Sequence, residues 1–92
     1  MGVRFARSAL KHRVARSRIL HVIGHLRFEQ SPPAGGPAGQ TVRLVYLGDD
    51  AAGIALEVMA VELSDGDLLV IHAMPLREKY RAQYKEAKQW QR

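Results

Sequence analysis

The chain has 92 residues, which is enough for one small domain over residues 1–92 with a single modest core. It contains no cysteine, which excludes disulfides and thiolate metal sites, and its apolar runs are too short to span a bilayer. Because no apolar leader segment precedes a small-residue cleavage site, we expect a cytoplasmic protein.

The net charge of +5 is distributed unevenly along the chain. Residues 1–31 hold seven Lys and Arg against one acid, residues 41–70 hold one against six, and residues 71–92 hold six against two. If the two basic ends meet in the folded protein, they form a cationic surface that can bind a polyanion such as RNA. The alternative is an ordinary solvated basic surface.

The first third of the chain predicts a short strand, a helix and a loop. Residues 3–5 are predicted as the strand. The helix is predicted from Arg16, because four apolar residues fall at helical spacing on one face. These residues are Ile19, Val22, Ile23 and Leu26. The sequence QSPPAGGPAGQ at residues 30–40 predicts a flexible surface loop, because prolines and glycines dominate it.

Three runs of β-branched and apolar residues after the loop predict three strands, over residues 41–47, 54–63 and 68–73. The sequence SDGD at residues 64–67 places an Asp-Gly pair between the last two runs, which is typical of a β-hairpin. Strict alternation along the last run puts His72 on the same face as Leu68 and Val70.

Pro75 is predicted to begin a second helix, because the first turn of a helix does not use the N–H that proline lacks. This helix has an apolar stripe and a basic stripe side by side. The apolar stripe consists of Leu76, Tyr80, Tyr84 and Ala87. The basic stripe consists of Arg77, Arg81, Lys85 and Lys88. The two tyrosines are therefore expected to pack in the core.

Together these elements predict a small single α+β domain. It has an N-terminal helix or helices, a three-stranded and possibly four-stranded antiparallel meander, and a C-terminal helix. We expect the helices to pack on one face of the sheet.

His72 is the first candidate for chemistry. Cleavage of RNA without a metal needs a base for the 2′-hydroxyl, an acid for the leaving 5′-oxygen and cations for the phosphate. Histidine titrates near neutral pH and serves as acid or base, while arginine offers fixed donors to phosphate oxygens. His72 at a strand end, with Arg77 and Arg81 on the next segment, supplies these residue types. The alternative is that His72 packs in the sheet and the arginines are merely solvated.

His21 and His25 are four residues apart and share a helical face, so they are a second candidate, for a metal site. The sequence HVIGH lacks the glutamate of the zincin pattern HExxH, and no third ligand is close in sequence. We therefore expect no metal and no other cofactor.

Two stretches resemble a known family, the BrnT-type toxins and their small actinobacterial relatives. The first is KHRV at residues 11–14 with the helix that follows it. The second comprises LEVMAVEL and LLVIHAMPLREKYR, at residues 56–63 and 68–81. The resemblance implies a RelE-like α+β fold and a metal-free ribonuclease of a type II toxin–antitoxin pair, neutralised by a small DNA-binding antitoxin. That family commonly carries a functional arginine on its last strand, near the position where this chain has residues 72–74. The positive charge would therefore come from Arg77 or Arg81 instead, with His72 as acid or base.

Two functional hypotheses follow. In the first, the chain is a toxin that cleaves RNA, with His72 as acid or base and with Arg77 and Arg81 holding the phosphate. Four further cations extend the RNA track in this hypothesis, namely Lys11, Arg18, Arg43 and Lys79. In the second, the chain is a non-catalytic module whose basic helix binds an antitoxin or nucleic acid. Either hypothesis is compatible with a homo-oligomer.

Overall fold

A computed structural model of the protein describes residues 2–24, 26–30 and 43–90. The predicted loop over residues 30–40 lies outside these residues except for Gln30, and so does His25. The strands are β1 (Val3–Phe5), β2 (Leu26–Gln30), β3 (Arg43–Asp49), β4 (Ala55–Glu62) and β5 (Leu68–Pro75). The helices are α1 (Arg16–Ile23) and α2 (Arg81–Trp90), with 3₁₀ turns at Arg7–Leu10 and Glu78–Tyr80.

In the described part of the chain the strands form one five-stranded sheet in the order β1-β5-β4-β3-β2. The strands β2 to β5 pair with their neighbours in antiparallel fashion, whereas β1 lies parallel to β5. The α+β class is thus confirmed. The sheet as a whole is mixed, and it has more strands than the predicted antiparallel meander.

The prediction that the first helix continues through Leu26 is wrong. The helix α1 ends at Ile23, Gly24 caps it, and Leu26 begins β2 opposite Leu47 of β3. Leu26 fits the helical spacing, but the spacing of one residue does not decide between a last helical turn and a new strand. Pairing with β3 favours the strand, because the backbone N–H and C=O groups at the edge of β3 gain hydrogen-bond partners when β2 pairs with it.

The sheet lies between the two helices, so the expectation that the helices share one face is also wrong. On one face, Ile19 and Val22 of α1 pack in a core with alternate residues of β3, β4 and β5. On the other face, Tyr80 and Tyr84 beside and within α2 pack over Val45, Leu47 and Met59. The two tyrosines therefore have the packing role that was predicted for them. No helix in the described residues is long and apolar enough to cross a membrane.

A bulge in β5 reverses the predicted orientation of His72. Val70 lies opposite Ala60 and His72 lies opposite Met59, so Ile71 is an extra residue in β5. Val70 and Ala73 both belong to the core under α1, whereas Met59 belongs to the core under α2. The alternation is therefore shifted at the bulge, and His72 lies on the α2 face, opposite to Val70.

The Asp-Gly hairpin is confirmed, while the helix start at Pro75 is wrong. In the hairpin, the N–H of Leu63 donates to the carbonyl of Asp67 at 2.8 Å, and Gly66 has φ of 88°. Pro75 is the last residue of β5, opposite Leu56, and α2 begins only at Arg81. Proline is accepted at a strand end as well as in the first turn of a helix, so its presence alone does not distinguish the two.

Candidate functional site

Glu57 is a buried acid in the middle of β4. Its side chain is 0% exposed, and its neighbours in the strand are buried apolar residues. It lies on the α2 face, because it alternates with Leu56 and Val58, which belong to the core under α1. A buried carboxylate is stable only when other groups of the protein satisfy its oxygens.

Arg77 is the main partner of Glu57. Its backbone N–H donates to Oε1 at 2.8 Å, its Nε lies 3.0 and 2.9 Å from Oε1 and Oε2, and its Nη2 donates to Oε2 at 2.6 Å. The pairing of β5 with β4 extends one residue past Pro75, where the N–H of Leu76 donates to the carbonyl of Ala55, and Arg77 follows directly. The hydrogen bonds to Glu57 raise the pKa of Arg77, so this pair is ionised.

His72 is the second partner of Glu57. The bulge places its ring on the α2 face, where Nε2 lies 3.1 Å from Oε2 of Glu57. Since an ionised carboxylate only accepts hydrogen bonds, Nε2 carries the proton and Nδ1 keeps a lone pair. The side chain is 23% exposed, so the ring is reachable from solvent.

The pKa values of the pair favour a carboxylate next to a neutral histidine. Burial acts to raise the pKa of Glu57, but the hydrogen bonds and charge of Arg77 outweigh it and hold this pKa below its usual value. Burial is the main cause that lowers the pKa of His72, and together with the charges of Arg77 and His12 it outweighs the raising effect of the Glu57 carboxylate. His72 is therefore neutral at neutral pH, which is the form that accepts a proton.

His12 lies next to His72, on the segment between the first 3₁₀ turn and α1. The two rings meet edge to face, with centroids 6.0 Å apart and planes at 72°. The 3₁₀ turn before this segment is fixed against β5, where the hydroxyl of Ser8 donates to the carbonyl of Ile71 at 2.6 Å. We call Glu57, His72, Arg77 and His12 the Glu57 cluster.

The Glu57 cluster combines a neutral histidine held by a carboxylate, an arginine and a second histidine. The carboxylate fixes the tautomer of His72, which leaves the other ring nitrogen able to take a proton from a bound hydroxyl. The cluster has the groups that metal-free acid–base chemistry on a phosphodiester requires. Among the described residues, no group of three or more His, Cys, Asp or Glu side chains is arranged to hold a metal ion.

A second buried carboxylate, Asp50, follows β3. Its Oδ1 accepts the N–H groups of Ala52 and Ile54, both at 2.9 Å, and its Oδ2 accepts Nε of Arg18 at 2.6 Å. The N–H of Ile54 and these other donors outweigh burial and hold the pKa of Asp50 below its usual value. This carboxylate builds the turn between β3 and β4 and ties α1 to it.

Asp49, just before Asp50, ties α2 to the same end of β3. Its Oδ1 accepts the hydroxyl of Tyr84 at 2.5 Å, and its Oδ2 lies 3.3 Å from Nζ of Lys88. On the α1 side, Nδ1 of His21 lies 3.0 Å from the carbonyl of Asp49. Asp49 and Asp50 together therefore join both helices to the sheet.

The structure brings two of the predicted site residues into the Glu57 cluster, and a third, Lys11, is next to a cluster residue in the chain. His72 and Arg77 belong to it and contact the same carboxylate. Lys11 is exposed and directly precedes His12 in the chain. The predicted proximity of His72 and Arg77 therefore comes about through Glu57.

Of the other four predicted residues, three contact groups outside the Glu57 cluster and the fourth is exposed. Arg18 pairs with Asp50. Arg81 donates from Nε to the exposed Glu78 at 2.8 Å. Lys79 has its Nζ 5.0 Å from the centroid of the Tyr80 ring, and Arg43 is exposed at the first position of β3. Their contact with RNA stays a prediction.

Sequence reasoning missed Glu57 and His12 as members of the site. Glu57 had a readable signal, because an acid on the inward side of an apolar strand needs a buried partner. His12 had only its place in KHRV, among polar and basic residues that predict no buried surface. Its proximity to His72 depends on how the first 3₁₀ turn packs against β5.

We compared the chain with family models, with curated proteins and with solved structures, and none of them matches. The site is therefore interpreted from its own geometry.

Proposed function

We propose that this chain is the toxin of a type II toxin–antitoxin pair, with a RelE-like fold, and that it cleaves RNA in the cytoplasm without a metal. The observation that supports this proposal best is the neutral, partly exposed histidine held by Glu57 and Arg77. The order of strand, helix, meander and helix and the resemblance at residues 11–14 and 68–81 support it as well.

In this proposal His72 is the general base. Its Nδ1 takes the proton of the 2′-hydroxyl, and the 2′-oxygen attacks phosphorus. The bond from phosphorus to the 5′-oxygen breaks, which leaves a 2′,3′-cyclic phosphate on the other product. Glu57 acts through His72 as a positioning residue, because it fixes the ring and stabilises the imidazolium that forms. Each such acid–base contribution typically amounts to about 100-fold to 10,000-fold in rate.

The cations divide into two groups in this mechanism. The charge of Arg77 is largely balanced by Glu57, and Nη1, which makes none of the bonds to Glu57, is the atom that reaches a phosphate oxygen. Lys11 and Arg13, exposed on either side of His12, supply the long-range attraction for RNA. Arg18, Arg43, Lys79 and Arg81 remain the predicted extensions of this surface.

The proposed function implies two binding partners, RNA and an antitoxin. RNA is the substrate, and a small DNA-binding antitoxin neutralises the toxin. The exposed cations of residues 11–16 form a surface that suits an acidic segment of such an antitoxin. A homo-oligomer is compatible with this arrangement.

The test is an RNA cleavage assay with the purified chain in the presence of EDTA. We expect products with 2′,3′-cyclic phosphate or 3′-phosphate ends, and a loss of at least about 100-fold in His72→Ala. His21→Ala is the matched control, because it removes an exposed histidine that contacts the carbonyl of Asp49 instead. Equal rates for His72→Ala and the wild type would show that His72 is not the base.

The second candidate function is a non-catalytic module that binds an antitoxin or nucleic acid. The pairing of Arg77 with Glu57 and of Arg81 with Glu78 favours this function over catalysis, because these ion pairs explain the positions of both arginines without a catalytic role. This module binds RNA in a salt-dependent way without cleaving it. In that case, replacing Arg77 and Arg81 with alanine weakens binding and flattens its salt dependence, and no cleavage is lost.

A further inference from the structure

The ring of His12 faces the ring of His72, and the mechanism above gives it no role. We propose that His12 is a second catalytic residue, which donates a proton to the 5′-oxygen as it leaves phosphorus. This inference rests on the proposed ribonuclease function and completes its acid–base chemistry. It comes from the geometry of the two rings.

The separation of the rings suits two groups that act on one phosphate. Their centroids are 6.0 Å apart, and the planes are inclined at 72°. A hydrogen bond spans about 3 Å between heavy atoms, so each ring can reach a different oxygen on the same phosphorus. The attacking 2′-oxygen and the leaving 5′-oxygen are the two oxygens that exchange protons.

The fold holds His12 at this position from both sides. Ala9 is fully buried before it, and Val14 is 3% exposed after it, so the segment has an apolar anchor at each end. Between these anchors Arg13 has φ of 59°, and it is the only non-glycine residue with positive φ among the described residues. Such a conformation is unfavourable for a residue with a Cβ, and strained residues of this kind are often found at functional sites.

The two histidines differ in a way that assigns their roles. His72 is partly buried and donates its Nε2 proton to Glu57, so its free nitrogen suits the base. His12 is exposed between the cations Lys11 and Arg13, so its ring is open to solvent on the side away from the core.

The step balances with two proton transfers, one to His72 and one from His12. The 2′-oxygen forms a bond to phosphorus as Nδ1 of His72 takes its proton, and the bond from phosphorus to the 5′-oxygen breaks as protonated His12 gives its proton to that oxygen. The products are a 2′,3′-cyclic phosphate and a 5′-hydroxyl. His72 is then protonated and His12 neutral, and both return to their starting forms through water.

A packing contact between the two rings is the competing explanation, and the leaving group distinguishes it from acid catalysis. A ribonucleotide 5′-oxygen needs a proton in order to leave, whereas p-nitrophenolate leaves without one. The experiment compares cleavage of the dinucleotide UpA with cleavage of uridine 3′-(p-nitrophenyl phosphate), with EDTA present. It uses the wild type, His12→Ala, His12→Gln, His72→Ala and His21→Ala, each with its folded fraction measured by circular dichroism.

We expect His12→Ala and His12→Gln to lower kcat on UpA by at least about 100-fold and to change cleavage of the nitrophenyl ester by less than about fivefold. His72→Ala lowers both rates, because both substrates need the base, and His21→Ala changes neither. Equal losses on the two substrates for the His12 variants, or no loss on UpA, overturn the role of His12 as acid. A wild type that cleaves neither substrate overturns the proposed ribonuclease itself.

Discussion

Glu57 and Asp50 are both buried carboxylates paired with an arginine, yet their surroundings differ. Asp50 accepts two backbone N–H groups of its own turn and one arginine, so building that turn explains its burial. Glu57 lies in the middle of β4, and its partners come from β5 and from the segment after it. One of these partners, His72, keeps a second ring nitrogen that Glu57 does not occupy.

The two regions also differ in where the chain adopts a positive φ. In the Asp50 turn this conformation is taken by Gly53, with φ of 82°, where it costs little. Beside the Glu57 cluster it is taken by Arg13, with φ of 59°. An ion pair alone therefore does not indicate function. The candidate site differs from the structural turn in two features, the ring nitrogen of His72 that Glu57 does not occupy and the strained residue Arg13 nearby.

The largest expected effect is the loss of stability in Glu57→Gln. This variant keeps the shape of the side chain but leaves the charge of Arg77 without its buried partner. We expect the free energy of unfolding to fall by about 2–4 kcal/mol, less than for a fully buried pair because Arg77 is partly exposed. Urea denaturation measures this change.

Glu62→Gln is the control, because Glu62 is exposed in the same strand, and its effect should stay within about 0.5 kcal/mol. A loss in Glu57→Gln no larger than that of the control would mean that the Glu57–Arg77 pair does not stabilise the fold.

A smaller effect concerns pH. Because the folded pKa of Glu57 lies below its usual value, its ionisation stabilises the fold above about pH 4.3, the ordinary glutamate range, and this contribution is lost as the pH falls through the folded pKa. The stability difference between the wild type and Glu57→Gln should therefore shrink as the pH falls below that range. Denaturation curves at several pH values measure it, and a difference that grows on acidification would contradict the assignment.

The smallest expected effect is that of Arg13→Gly, which relieves the positive φ while making the unfolded chain more flexible. These two changes nearly cancel, so we expect the stability to stay equal or to rise by up to about 0.5 kcal/mol. Lys85→Gly is the control, because it places glycine at an exposed position inside α2, where it costs about 1 kcal/mol. Equal destabilisation by the two variants, measured by thermal unfolding, would show that Arg13 is not strained.

The sequence predicted the α+β class, the hairpin at residues 64–67 and the packing of Tyr80 and Tyr84, because each depends on local pattern. It could not predict the bulge at Ile71, since a bulge depends on the register between β4 and β5. This one extra residue moves His72 to the face where Glu57 lies. The orientation of a site residue thus depended on a feature that strand alternation does not record.

The partners of Glu57 could not be predicted from the sequence for a related reason. Pro75 is compatible with a helix start and with a strand end, and it is because Pro75 ends β5 that the N–H of Arg77 lies within reach of Glu57. The same limit applies to β2, where Leu26 fitted the helical spacing. In each case a pairing distant in sequence decided between two local structures that the residues allow equally well.

The most direct test of the account is the rate of metal-free RNA cleavage per folded molecule in Glu57→Gln and in Asp50→Asn. If the Glu57 cluster positions the base and the Asp50 turn is structural, Glu57→Gln should cleave at least about tenfold more slowly, since its histidine loses the carboxylate that fixes it. Asp50→Asn should cleave at the wild-type rate. Wild-type cleavage by Glu57→Gln, or equal losses in both variants, would contradict the account.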